Sequence, residues 1–87
     1  IAFYNRIING DPKRAGAYYH RGRAFDGAGD VEKALQDFEK AIKLRPKNPD
    51  GYSRRGDVYR KEKDFRKAYD DYRASLEVDR NQPKVRA

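Results

Sequence analysis

Residues 18–25 read YYHRGRAF and residues 52–59 read YSRRGDVY, so a glycine stands in the middle of each stretch at an interval of 34 residues. Both stretches otherwise have the composition of a helix, in which a glycine costs roughly 1 kcal/mol relative to alanine. A cost accepted twice at the same place indicates that each glycine has a packing role. It also makes an internal repeat the first property to test.

A repeat of 34 residues runs through most of the chain. Shifting the sequence by that interval superimposes identical residues, namely Tyr18 on Tyr52, Arg21 on Arg55, Gly22 on Gly56, Asp30 on Asp64, Lys33 on Lys67, Ala34 on Ala68 and Asp37 on Asp71. The same register lays Tyr4 on Phe38 and Pro12 on Pro46 upstream. About two and a half repeats are therefore present.

Each repeat is predicted to form two helices. In residues 31–44 the apolar side chains follow the i, i+3, i+4, i+7 spacing that gives a helix one apolar stripe. Asp30 is the predicted N-cap of this helix, and Pro46 disfavours helical geometry in the residue before it. Arg80 stands where that proline would recur. The predicted helices span residues 1–10, 15–28, 31–44, 49–62 and 65–79, and because all are short, packing between neighbours must stabilise them.

The pattern resembles the tetratricopeptide repeat, a 34-residue helix–turn–helix unit. The positions that match the family's pattern are Tyr18, Gly22, Phe25, Ala34, Phe38 and Pro46 in one repeat and Tyr52, Gly56, Tyr59, Ala68 and Tyr72 in the next. The chain departs from it at Arg21 and Arg55, where leucine is usual, and at Arg80. The resemblance implies an all-α fold, a helix-turn-helix repeat solenoid that winds as a right-handed superhelix.

The resemblance also implies how the chain is divided. Residues 1–87 would form a single repeat domain, with 1–14 as the trailing second helix of a partial repeat and 83–87 as the start of a further one. Residues 15–48 and 49–82 would be full repeats. Within each, the glycine is expected to face Ala34 or Ala68 of the second helix, so that the two backbones approach closely and the flanking aromatic side chains are buried.

Composition narrows the function. The chain carries a net charge of +7, and from Arg45 onward 13 Lys and Arg stand against 8 Asp and Glu. This surplus favours acidic partners. The absence of cysteine excludes a disulfide framework and a thiolate metal site. No stretch approaches the roughly 18 apolar residues of a membrane span, and the cellular compartment is not indicated.

In the family that the chain resembles, the first helices of successive repeats line a concave groove that receives an extended peptide or a partner's helix. The corresponding partner-binding candidates here are Tyr19, His20, Arg23, Asp26, Ser53, Arg54, Asp57 and Lys61. An acidic peptide or a C-terminal carboxylate would fit this surface, held by charge-assisted hydrogen bonds from Arg23 and Arg54. The alternative is that these side chains form the solvated faces of a stacking module whose partner binds elsewhere.

One specific form of carboxylate recognition is not expected. Family members that bind the acidic tails of heat-shock chaperones use a clamp of lysine, asparagine, asparagine, lysine and arginine. The corresponding slots here hold Tyr19, Arg23, Arg54 and Lys84, with the fifth beyond the end of the chain. Because only Lys84 agrees, any carboxylate recognition would use a different set of residues.

Enzyme function is not predicted. His20 is the only histidine, and it could accompany Ser53 and Asp57 in a hydrolytic trio, but nothing supplies an oxyanion hole or an enclosed pocket. A single histidine with scattered aspartates also lacks the spacing of a metal site. No cofactor is expected.

Nucleic acid is the competing class of partner. Basic residues cluster at Arg54, Arg55, Arg60, Lys61, Lys63, Arg66 and Lys67. Phosphate binding would need these charges on one face, with aromatic side chains free to stack on bases. Acidic residues interrupt the cluster, and most aromatic side chains occupy core slots. A third hypothesis is a structural spacer within a larger protein.

Self-association is a further expectation. The last predicted helix carries the apolar side chains of Phe65, Tyr69, Tyr72 and Leu76, and few residues follow it. Repeat arrays bury such faces on neighbouring repeats. The chain is therefore expected either to be a segment of a longer array or to form a homo-oligomer through its uncapped ends.

Overall fold

The structure is a computed structural model that describes residues 1–81. Its five helices are α1 (Ala2–Gly10), α2 (Ala15–Gly27), α3 (Val31–Leu44), α4 (Asp50–Lys61) and α5 (Phe65–Asn81). The predicted all-α fold is confirmed, and each boundary lies within two residues of its prediction. Helix α5 continues past residue 79 because Arg80, unlike a proline, can stay in a helix. The expected start of a further repeat at 83–87 and the clamp position Lys84 lie outside the described residues.

The helices pack as two helix–turn–helix pairs. Helix α2 packs along α3, helix α4 packs along α5, and α3 and α4 join the two pairs, while α1 lies against α2. The turn within each pair is held by an aspartate at the start of the second helix: Asp30 accepts a hydrogen bond from the backbone N–H of Lys33, and Asp64 accepts one from Lys67. The predicted helix starts are thereby confirmed.

The hydrophobic core lies between the pairs. Ala34 and Phe38 of α3 and Val58 of α4 form the buried cluster, with Tyr19 and Phe25 of α2 packed against it. Phe38 and Val58 are the largest side chains that are fully buried among the described residues. The contact between α3 and α4 therefore fixes how the second pair is positioned on the first.

Each repeated glycine is buried where the two helices of its pair meet. A Cβ atom on Gly22 would lie 2.8 Å from Cε1 of Phe38, and one on Gly56 would lie 2.9 Å from Cε1 of Tyr72. The predicted close approach is thus confirmed. The prediction that each glycine faces Ala34 or Ala68 is wrong. The nearest atoms belong to the aromatic side chain, Phe38 or Tyr72, and to the aspartate before it, because the aromatic ring fills the space beside the glycine.

A buried ion pair recurs in both pairs of helices. Nε and Nη2 of Arg21 each donate to one oxygen of Asp37 at 2.7 Å, and Arg55 holds Asp71 in the same way at 2.8 Å. The side chains of Asp37 and Asp71 are only 6% and 7% exposed. These hydrogen bonds raise the pKa of both arginines above the ordinary value. Arg21 and Arg55, which stand where leucine is usual in the family, therefore form structural ion pairs. The two parallel hydrogen bonds of each pair are a geometry that favours arginine.

Candidate functional site

The predicted binding face is formed by α2 and α4, which lie next to each other. Two side-chain contacts cross between them. Nε of Arg54 donates to the hydroxyl of Tyr19 at 3.1 Å, and Nζ of Lys61 donates to both carboxylate oxygens of Asp26 at 2.8 and 2.7 Å. The structure thus brings four of the predicted residues together as two cross-helix pairs, and in each pair the partners are 35 positions apart.

Two other predicted residues contact α5 instead. Oγ of Ser53 lies 2.6 Å from Oγ of Ser75, which also donates to the carbonyl oxygen of Pro49. Asp57 accepts a hydrogen bond from the hydroxyl of Tyr72. Partial burial, and then this hydrogen bond, raises the pKa of Tyr72 above its ordinary value. Ser53 and Asp57 therefore help to join α4 to α5.

His20 and Arg23 are the most accessible members of the predicted set on α2. The imidazole of His20 stacks on the ring of Tyr4 in α1 at 6.0 Å between centroids, and Cζ of Arg23 lies 6.0 Å from the centre of the Tyr19 ring. Neither side chain has an ion pair or hydrogen bond with another described residue. No hydrogen bond joins His20, Ser53 and Asp57 within residues 1–81, so the hydrolytic trio is not assembled.

Tyr19 is less exposed than expected. Its ring lies 6.1 Å from that of Phe38 and packs against the core cluster, leaving the hydroxyl at the surface to accept from Arg54. This hydrogen bond is the main reason that the pKa of Arg54 is raised. The ring of Tyr19 therefore stabilises the fold, and only its hydroxyl group contributes to the binding face.

The charges on this face are unequal in their availability. Asp26 is held by Lys61, and Asp57 accepts from Tyr72 while lying 4.0 Å from Arg54 and 3.8 Å from Arg60. Both of these carboxylates are therefore neutralised by neighbours, whereas Arg23 has no counter-ion among residues 1–81. The unpaired charge on this face is therefore the positive charge of Arg23, which favours an anion as the ligand.

A cavity of about 400 Å³ opens at one end of the face, between the first turns of α2 and α4. Its lining consists of Arg14, Ala15, Gly16, Tyr19, His20, Ala41, Arg45, Asn48, Asp50 and Gly51. Tyr19 and His20 are the only predicted site residues in it. Sequence reasoning missed Arg14 and Arg45, which lie in the connections before α2 and after α3.

The described residues contain no arrangement suited to a metal. Among residues 1–81 no three His, Asp or Glu side chains are grouped closely enough to hold an ion. No helix in the same range is long and apolar enough to cross a membrane.

Comparison with known proteins gives consistent family matches. Residues 28–62 match the family described as "TPR repeat", and residues 49–82 match "Tetratricopeptide repeat". Over 44 residues, 51% of this chain, the sequence is 41% identical to "FK506-binding protein-like" of Mus musculus. That stretch is 13% of the mouse protein.

Solved structures with the same fold include MamA from Desulfovibrio magneticus RS-1 and a domain of Spaghetti (RPAP3). The MamA likeness has a TM-score of 0.87 at 26% identity and covers 93% of this chain and 46% of that one. The second TPR of Spaghetti, solved with the HSP90 peptide SRMEEVD, gives a TM-score of 0.80 at 25% identity over 86% of this chain and 69% of that one. This chain therefore spans less than half of the MamA chain. From the repeat positions, the paired helices and these matches, the chain belongs to the tetratricopeptide-repeat family, whose domains generally mediate protein–protein interaction.

Proposed function

We propose that this module is an interaction scaffold that binds an acidic, extended polypeptide segment along the face formed by α2 and α4. The observation that carries the proposal is the charge state of this face. Among the predicted site residues, the two carboxylates, Asp26 and Asp57, are already paired within the protein, whereas Arg23 has no ion pair or hydrogen bond with another described residue. The net charge of +7 adds a long-range attraction for an acidic segment.

The Spaghetti structures support a peptide as the ligand class. Both the first and the second TPR of that protein were solved with the acidic peptide SRMEEVD. The residues available for recognition differ, because this chain has Tyr19, Arg23 and Arg54 at three of the positions that form the chaperone-tail clamp. We therefore propose that Arg23 has the main role in recognising acidic side chains and Arg54, which already contacts Tyr19 and Asp57, the smaller one, without a preference for the chaperone-tail sequence.

Nucleic acid fits the face less well than an acidic peptide. Of the basic cluster at residues 54–67, Arg55 is held by the buried Asp71, Lys61 by Asp26, and Lys67 lies 3.8 Å from Asp64. Charges that are already paired release few counter-ions on binding phosphate. Only part of the cluster is therefore available to a phosphate backbone.

The proposal is tested by fluorescence anisotropy with two labelled, C-terminally amidated peptides, GSEEEGS (the Glu peptide) and GSQQQGS (the Gln peptide). The Glu peptide is expected to bind more tightly, and Arg23→Gln should weaken it about fivefold, as for loss of a partly exposed charge-assisted contact. Lys43→Gln is the matched control, because Lys43 is exposed on α3 rather than on α2, α4 or α5, and its replacement makes the same change in charge.

Three outcomes of this assay would contradict the proposal. Equal affinity for the two peptides would exclude acidic recognition, and equal weakening by Lys43→Gln would reduce the effect to net charge. Tighter binding of a thymidine oligonucleotide, with a steep salt dependence, would favour nucleic acid. SRMEEVD is expected to bind no more tightly than a scrambled peptide of the same composition.

Self-association is a second candidate, supported by the exposed face of α5. Phe65, Tyr69 and Leu76 are each 64% exposed and lie along one side of this helix. A second copy is the proposed occupant, because antiparallel packing of two α5 helices would bring Arg66, near the start of one helix, close to Glu77, near the end of the other. Sedimentation velocity should show a dimer that Leu76→Glu abolishes, and a strict monomer at high concentration would exclude it.

A further inference from the structure

We propose that the cavity between the first turns of α2 and α4 is a carboxylate subsite of the binding face. It would receive one carboxylate of the bound segment, from an Asp or Glu side chain or from a C-terminus. The inference rests on the proposed function and deepens it, because it names a place for one group of the ligand.

The lining supplies donors of the required kind. Arg14 and Arg45 carry guanidinium groups, which match a carboxylate with two parallel hydrogen bonds. His20 and the amide of Asn48 add two further side chains that can donate. A volume of about 400 Å³ accommodates a whole acidic side chain together with water.

The two guanidinium groups are available. Neither Arg14 nor Arg45 has a side-chain hydrogen bond or an ion pair with another described residue, and both are exposed. By contrast, Arg21 and Arg55 are held by buried aspartates, and Arg54 by Tyr19. An incoming carboxylate would therefore meet cations that lose no internal partner on binding.

The charge of the cavity is not a property of the repeated scaffold. One repeat further on, Asn48 stands at the position of Arg14 and Asp79 at the position of Arg45, and Asp11 occupies the latter position one repeat earlier. The structural residues recur unchanged, as Arg21 and Arg55 do. Residues that differ between repeats are free to serve recognition.

Among the described residues, Asp50 is the one carboxylate in the lining. It opposes an anion, but the two arginines outnumber it, so the cavity keeps a positive charge. This residue also provides a variant with the opposite effect. Asp50→Asn should tighten binding of a carboxylate, whereas Arg14→Gln and Arg45→Gln should weaken it.

The inference is tested by NMR titration of ¹⁵N-labelled protein with the amidated Glu peptide. We expect saturable shifts of the amide signals of Gly16 and Gly51, which line the cavity, and about a fivefold loss of affinity for Arg14→Gln or Arg45→Gln. Lys43→Gln, an exposed change of equal charge on α3, is the control and should bind as the parent chain does. Thermal unfolding of each variant checks that the fold is retained.

The source of the carboxylate is distinguished by a third ligand, the Gln peptide with a free C-terminus. Shifts at Gly16 and Gly51 with this ligand and not with the Glu peptide would assign a C-terminal carboxylate, and the reverse would assign a side chain. Saturable binding of the Glu peptide that is insensitive to both arginines, with both amides unmoved by either ligand, overturns the subsite while sparing the proposed function. Absence of any binding overturns both.

Discussion

The two helix pairs, α2 with α3 and α4 with α5, have the same framework and different surfaces. Each has a bidentate arginine–aspartate pair, Arg21 with Asp37 and Arg55 with Asp71, and each has a glycine against an aromatic ring. The residues around the framework have changed. The residues that recur in both pairs hold the helices together. Recognition and local strain should therefore be sought at the positions that differ between the pairs.

Two changed positions are coupled. Phe38 is fully buried, and its counterpart Tyr72 is partly exposed. The extra hydroxyl of Tyr72 donates to Asp57, which stands one repeat after Arg23. The second pair therefore uses this groove position for an internal hydrogen bond, whereas the first leaves Arg23 accessible. This difference supports a binding face in which Arg23 has the larger role.

The largest effect is expected from removing one member of a recurring ion pair. Arg21→Leu leaves the carboxylate of Asp37 buried without a cation and should lower the free energy of unfolding by about 3 kcal/mol. Arg55→Leu should act similarly but slightly less, since Arg21 also donates to Asn5 of α1 at 2.8 Å. Urea unfolding followed by circular dichroism measures both.

The control for that prediction is a double variant. Arg21→Leu combined with Asp37→Asn removes the buried charge as well as its partner and should recover part of the lost stability. If Arg21→Leu alone leaves the urea midpoint unchanged, leucine at this position is tolerated and the ion pair is not structural.

The next effect concerns the glycines. Gly22→Ala places a Cβ 2.8 Å from the ring of Phe38 and should destabilise the chain by about 1 kcal/mol, even though alanine favours helix. Gly16→Ala is the matched control in the same helix, with no atom within 4 Å of the new Cβ, and should stabilise by about 0.5 kcal/mol. Equal thermal midpoints for the two variants would show that the helices can move apart without loss.

A smaller effect is expected at the turn within each pair. Gly29 has φ +83°, and its counterpart Lys63 has φ +64°, in the left-handed region that a side chain disfavours. Lys63→Gly should therefore raise the free energy of unfolding by about 0.5 to 1 kcal/mol. The free energy of unfolding of Lys63→Asn should lie between those of the parent chain and of Lys63→Gly, because asparagine tolerates this conformation better than lysine. A thermal midpoint below that of the parent chain for Lys63→Gly would contradict the strain.

The smallest effect is a pH dependence confined to the second pair. The pKa of Tyr72 is raised in the folded chain, so the native state holds the phenolic proton more tightly than the unfolded chain does. The stability that Tyr72 contributes in this way is therefore complete below pH about 10 and is lost as the pH rises through the pKa that Tyr72 has in the folded chain. Tyr72→Phe should reduce the alkaline loss of stability measured by urea unfolding. An unchanged alkaline slope would exclude this contribution.

The fold could be predicted from the sequence because its determinants recur. The apolar spacing of residues 31–44 and the capping aspartates predicted the helices and their starts correctly. The repeated glycines predicted where two helices approach closely. The ion pairs were missed although the signal was present: Arg21 with Asp37 recurs as Arg55 with Asp71 at the same separation of 16 residues. Opposite charges that recur together at one spacing indicate a contact, even where the family pattern has leucine.

The site was less predictable, because side chains on one helix face can bond to several neighbours. Asp26 and Lys61 are opposite charges at 35 residues, one repeat plus one position, and this spacing could have indicated their contact. The cavity at Arg14 and Arg45 could not be found in this way. Its residues come from two connections and do not recur, so only the packing of α2, α3 and α4 reveals that they meet.

Arg21 and Arg23 lie two positions apart on α2, and the affinity of their variants for the Glu peptide separates scaffold from recognition. Anisotropy titrations, corrected for the unfolded fraction, should show Arg21→Leu binding as tightly as the parent chain and Arg23→Gln binding about fivefold more weakly. The reverse ranking, with Arg23→Gln unchanged and folded Arg21→Leu weakened, would contradict the division between recurring structural residues and variable binding residues.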